Sequence, residues 1–97
     1  MARRSEMTRE AAETLAVEAL AFIAGDPERL DRFLALTGLG PESLRQAAKE
    51  PGFLLGVLDH VMADDRLLVE FATQREMTPE GVVWARDRLA GPSSASL

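Results

Sequence analysis

Residues 53–62 have the sequence FLLGVLDHVM, and apolar side chains occupy nearly every side of a helix drawn through them. Only Gly56, Asp59 and His60 interrupt the apolar surface. A helix that is hydrophobic nearly all round is buried on most of its surface. The segment therefore predicts a central helix over about residues 52–63, with the rest of the chain packed around it.

Short helices are predicted on both sides of this segment, because capping residues and prolines mark helix starts and glycines mark helix ends. The predicted starts are at Thr8, Asp26, Pro41, Pro51, Asp64 or Asp65, and Thr78. The predicted ends include Gly25, Gly38 and Gly91. No segment alternates apolar and polar residues, and no Asn-Gly or Asp-Gly dipeptide indicates a hairpin. The sequence thus predicts an all-α fold, a compact bundle of five or six short helices.

The chain has 97 residues, which is the length of one domain with a modest core. Residues 1–7 and 92–97 lack apolar periodicity, so we expect a disordered tail at each end. Residues 8–91 are expected to form a single helical domain.

Sliding the chain over itself by 38 residues aligns several landmarks. Asp26 falls on Asp64 and Phe33 falls on Phe71. The Pro-Glu pair at 41–42 also falls on the Pro-Glu pair at 79–80. One interpretation is two stacked three-helix units that share a core. The other is that amphipathic helices with acid–proline starts resemble one another, and the sequence leaves both open.

The formal net charge is −5 and the chain has no cysteine. An acidic protein is a poor nonspecific binder of nucleic acid or anionic membranes, because both favour a basic surface. The lack of cysteine excludes disulfides, thiolate nucleophiles and zinc–thiolate sites. No signal peptide is recognised and no apolar run reaches about 20 residues, so we expect no membrane association and a cytoplasmic location.

Three segments carry a resemblance to a known family: MTREAAETLAVEALAFIA at 7–24, LDRFLALTGL at 30–39 and FLLGVLDHVMADDRLLVEFA at 53–72. Together they resemble the uncharacterised bacterial family "domain of unknown function 3572". The resemblance implies a short helical cytoplasmic protein, mainly found in alphaproteobacteria. It supplies no activity, cofactor or catalytic residue. His60 departs from the family pattern, in which an apolar aromatic residue is more usual.

The residues that carry chemistry are few. His60 with Asp59, Asp64 and Asp65 is conceivable as a metal site, but the last two residues lie where a helix cap is needed. Four of the five serines fall in the predicted tails, and no glycine-rich phosphate loop occurs. We therefore assign no catalytic, cofactor-binding or metal-binding residue and expect no cofactor. A small metal-dependent enzyme is the third-ranked hypothesis for the function.

A helix-turn-helix DNA-binding protein is the leading alternative hypothesis. A predicted helix over residues 41–50 would present Arg45, Gln46 and Lys49 to DNA. The net negative charge makes a nucleic-acid partner an unfavoured prediction.

The most suggestive feature is a stripe of small and polar residues on the central helix. Gly56, Asp59, His60 and Ala63 are spaced by three, one and three residues, which places them on one face. This stripe is either the solvent side of the helix or a surface where a partner protein approaches closely. We predict from it, largely by elimination, a non-catalytic protein–protein interaction or regulatory module, with Gly56, Asp59, His60 and Ala63 as the candidate partner surface.

Overall fold

The computed structural model describes residues 7–91, and every regular element within that range is helical. Six α-helices follow one another: α1 (Arg9–Ala24), α2 (Pro27–Thr37), α3 (Leu44–Ala47), α4 (Pro51–Met62), α5 (Asp65–Gln74) and α6 (Pro79–Ala90). A 3-10 turn, Pro41–Ser43, precedes α3. The predicted all-α bundle is confirmed.

Side-chain caps begin three of the helices where the sequence predicts them. Thr8 Oγ1 accepts a hydrogen bond from the Ala11 N–H at 3.0 Å, at the start of α1. Asp26 accepts from the first turn of α2, and Asp64 accepts in the same way from α5. Each carboxylate satisfies backbone N–H groups that have no partner within the helix. Of the two acids considered for the cap of α5, Asp64 is therefore the one used.

The core lies where α1, α4 and α6 pack against one another. Helix α5 packs on α4 and α6, and α2 packs on α1. The inward side of α4 consists of Leu54, Val57, Leu58 and Val61, all buried. The predicted central helix over residues 52–63 is thus observed one residue earlier, at 51–62.

The landmarks of the near-repeat occupy equivalent places in the second helix of each half. Asp26 and Asp64 both cap a helix, and Phe33 and Phe71 are both fully buried. The third helices differ, since α6 is a 12-residue helix that contributes to the core and α3 has four residues, none of them buried.

Residues 41–50 do not form the single short helix that the sequence suggests. The segment divides into the 3-10 turn and the four-residue α3, and none of its residues is fully buried. Short helices are marginal unless an apolar face is packed. Here only Leu44 and Ala48 pack against the core, and both remain partly exposed.

One residue of the predicted N-terminal tail packs in the core. Met7, which the sequence placed in a tail, is buried in the core, and its carbonyl accepts a hydrogen bond from Arg88 Nε at 2.8 Å. The other predicted tail residues, 1–6 and 92–97, lie outside the described range. Within residues 7–91, no helix is long and apolar enough to cross a membrane.

We expect Leu58→Ala to lower the free energy of unfolding by about 2–5 kcal/mol, because it removes a fully buried leucine side chain from the core. Val69→Ala is the matched control: Val69 is 52% exposed on α5 and its loss should change stability by less than about 0.5 kcal/mol. Chemical denaturation of both variants measures the difference. Equal, small losses would show that α4 is not part of the core.

Candidate functional site

The four stripe residues lie along the outer side of α4. Gly56, Asp59 and Ala63 are exposed, and His60 is half-buried. Gly56 faces open space, since a Cβ atom added there would meet no atom within 4 Å. The structure therefore brings the four residues onto one face, but the two polar side chains turn away from each other to different neighbours.

Asp59 turns toward α6. Its Oδ1 accepts a hydrogen bond from Arg86 Nε at 2.7 Å. This ion pair joins α4 and α6 at the surface, and its hydrogen bond raises the pKa of Arg86. Since Asp59 is occupied by a cation of its own chain, its observed role is to tie two helices together.

His60 turns toward α2. Its ring meets the Phe33 ring edge-on, with the centroids 5.0 Å apart and the planes at 83°. Burial lowers the pKa of His60 below its usual value, and the nearby charge of Arg32 lowers it further, while Asp64 acts in the opposite direction. His60 therefore has a packing role between α4 and α2, against Phe33.

The acids next to His60 do not assemble around it. Asp59 is bound to Arg86, and Asp64 Oδ1 accepts the N–H groups of Arg66 and Leu67 at 3.0 and 3.2 Å. Within residues 7–91, no three histidine, cysteine or acidic side chains are grouped so that they could hold a metal ion. Capping explains the position of Asp64.

A cleft of about 350 Å³ lies between α2 and α5, next to His60. Its charged side chains pair with one another, both between the two helices and within α5. Arg29 Nη2 lies 2.6 Å from Glu70 Oε1, and Arg66 Nε lies 3.8 Å from the other oxygen of that carboxylate. Arg32 also lies 3.9 Å from Asp64. The cleft neutralises most of its own charge, and these exposed pairs add little stability individually.

A larger groove of about 650 Å³ runs between α1 and the segment that joins α3 to α4. Two of its lining residues, Leu54 of α4 and Ala48, are apolar and largely covered, and we call them the floor of the groove. Val17 of α1 lines the groove beside them. Val17 is 45% exposed, which is unusual for a valine on a helix whose other large apolar residues are buried or half-buried. Its remaining lining residues are Glu10, Glu13, Thr14, Glu18 and Lys49. We refer to these eight residues as the α1–α4 groove.

The sequence alone does not predict the α1–α4 groove. Its only indication is the position of Val17, which lies off the apolar face of α1 that runs through Leu15 and Ala19. A single apolar residue outside the main face is common on protein surfaces and carries little information by itself. The partners of Val17 come from positions 31 and 37 residues away, so no local pattern predicts that they meet.

One protein-family model matches residues 9–92, and that family is described as a protein of unknown function (DUF3572). Comparison of the chain with curated proteins gave no match. Comparison with solved structures gave none either.

We expect the stability of the protein to fall as the pH is lowered through the range in which His60 titrates. The lowered pKa of the folded state means that the unfolded chain, with a pKa near 6.5, binds the proton more readily. The contribution of His60 is therefore present above pH 6.5 and is lost as the pH falls through the folded-state pKa. Urea denaturation between pH 7.5 and 5.5 measures this slope. His60→Phe, which keeps an aromatic ring against Phe33, should flatten it, and an unchanged slope would assign the effect to another group.

We expect Gly56→Leu to retain the fold and to gain from a few tenths to about 1 kcal/mol, since glycine is a poor helix former and the position is open. Gly81→Leu is the matched control in α6: Gly81 is buried, so a leucine there has to displace the Met77 side chain and fit four carbon atoms into packed space. Overpacking should cost this control about 1–3 kcal/mol. Thermal melts compare the two, and a strongly destabilised Gly56→Leu would place Gly56 in the core.

Proposed function

The chain belongs to the family of unknown function DUF3572, and we propose that it is a small non-catalytic protein-interaction module whose partner binds in the α1–α4 groove. The observation that carries this proposal is the half-exposed Val17 beside an apolar floor, inside a groove with charged walls. Protein interfaces combine these features, with an apolar centre and a polar rim.

The position of the groove beside a helix supports a peptide-like ligand. Its α1 wall is formed by residues between 10 and 18, about 12 Å of helix. Apolar grooves beside helices commonly receive an amphipathic helix from a partner. Val17 and the adjoining floor would be the central contacts of such an interface.

The polar residues on α4 support the non-catalytic part of the proposal. Asp59 is held by Arg86, His60 packs on Phe33, and Asp64 caps α5. Catalysis requires acid, base or nucleophilic groups that converge on one reacting atom. These three side chains point to three different structural partners. The stripe of Gly56, Asp59, His60 and Ala63 remains a predicted second contact surface.

The DNA-binding alternative receives less support from the segment that should carry it. Helix α3 has four residues, which is shorter than the recognition helices that enter the major groove. Lys49 lines the same groove as Glu10 and Glu13 of α1. Carboxylates beside a would-be recognition element repel phosphates.

Site-specific photo-crosslinking tests the proposed site. A benzophenone amino acid replaces Val17 in one protein and Val69 in another, two valines that are exposed to 45% and 52% on different helices. After irradiation in cell extract, we expect a discrete protein adduct at position 17 and none at 69. The captured protein is then purified and its Kd is measured with the wild type, Val17→Asp and Val69→Asp. Affinity lost only in Val17→Asp supports the proposal, whereas equal labelling at both positions or equal Kd values would contradict it.

A further inference from the structure

Helix α1 has a second face, which is mostly polar and charged, whereas its buried face is apolar. Residues 10, 13, 14, 17 and 18 line the α1–α4 groove, and their spacing of three and four places them on one side of a helix. Glu10 and Glu13 occupy the first turns of this face, and Val17 follows one turn later. Along α1 the groove therefore presents two carboxylates and then, one turn later, an apolar residue.

The carboxylates on this wall are not equivalent. Glu18 Oε1 lies 2.9 Å from Arg75 Nη2, at the end of α5, so its charge is already paired. No salt bridge within the described residues 7–91 holds Glu10 or Glu13. Lys49 lines the groove from the α3–α4 segment and likewise has no ion pair within that range. The groove thus offers two free negative charges on the α1 wall and one positive charge from the other side.

We infer that the partner segment is a basic amphipathic helix, with Lys or Arg side chains that face Glu10 and Glu13 and apolar side chains that pack on Val17, Ala48 and Leu54. This inference rests on the proposed function, because it assigns the chemistry of the ligand to the same groove. Opposite charges at the rim raise the rate of association and select among partners, and the apolar floor supplies contact area.

A helix fits the wall better than an extended strand does. The residues of α1 that line the groove are three to four positions apart, and a second helix packed beside α1 presents its side chains at the same spacing. A strand binds by adding to a sheet edge, and the described residues form no sheet. Lys49 also fixes how the ligand is oriented in the groove. It favours an acidic or neutral residue on the side of the ligand that faces away from α1.

Selection from a displayed library of 16-residue helical peptides tests the inference. Peptides are selected on the wild-type protein and then depleted of those that also bind Val17→Asn, which removes the apolar contact without adding a charge to the groove. We expect the remaining peptides to be basic and amphipathic. Groove-dependent peptides that are neutral or acidic would overturn the inference alone. No groove-dependent peptide at all would contradict the proposed function as well.

Charge variants test how a selected peptide is held. Glu10→Gln/Glu13→Gln should weaken binding by about 2- to 30-fold, the range expected for two exposed ion pairs. The control is Glu28→Gln/Asp31→Asn, which changes the second and fifth residues of α2, the positions that Glu10 and Glu13 hold in α1. It should leave the Kd unchanged. Equal losses in both double variants would show a general effect of net charge and would overturn the inference.

Two further measurements test the charge of the ligand and its identity. Lys49→Gln should bind the peptide as tightly as the wild type or more tightly. A loss of affinity like that of Glu10→Gln/Glu13→Gln would contradict a basic ligand. Sedimentation of the wild type and Val17→Asp tests the other occupant, a second copy of this chain. A dimer that dissociates only in Val17→Asp would make the groove a self-interface and overturn the inference.

Discussion

Helices α1, α4 and α6 pack against one another through a mixture of fully buried alanines and larger apolar residues. Helix α1 contributes Ala12, Ala16 and Ala19, and α6 contributes Ala85, all fully buried. Small side chains let helix backbones approach closely, and the larger residues of α4, Leu58 among them, fill the space that remains. The other helices depend on this contact, since α2 and α5 pack on its outside and the α1–α4 groove lies along its edge.

The parts of the fold that could be predicted are those with a complete local signal. The apolar surround of α4 predicts its burial without reference to any other segment. Asp26 and Asp64 predict helix starts because a cap bonds to backbone two and three residues ahead. In both cases the residue and its partner lie within one turn of each other along the chain. Periodicity and capping are therefore read directly from neighbouring positions.

The parts that could not be predicted depend on contacts between distant segments. Asp59 and Arg86 are 27 residues apart, and Phe33 and His60 are likewise 27 apart, so the roles of both stripe residues emerge only in the folded chain. Helix α3 is short because little of its segment packs against the core. Local helix propensity does not report that packing, so the sequence predicts a longer helix. The groove is the extreme case, since its walls come from α1 and from residues 48 and 49.

The two surfaces differ in the electrostatic energy they can offer a partner. On α4, Asp59 already binds Arg86, so a ligand that uses this carboxylate must first break an ion pair that the chain makes with itself. In the groove, Glu10 and Glu13 carry no such pair within the described residues, so a cationic ligand breaks no ion pair of the chain when it binds them. Its costs are the removal of water from the carboxylates and the repulsion from Lys49. Apolar contact with Val17 is gained in the same step. The groove thus combines carboxylates that have no ion pair within the described residues with the exposed apolar surface of Val17. This combination favours the groove over the α4 stripe as the binding surface.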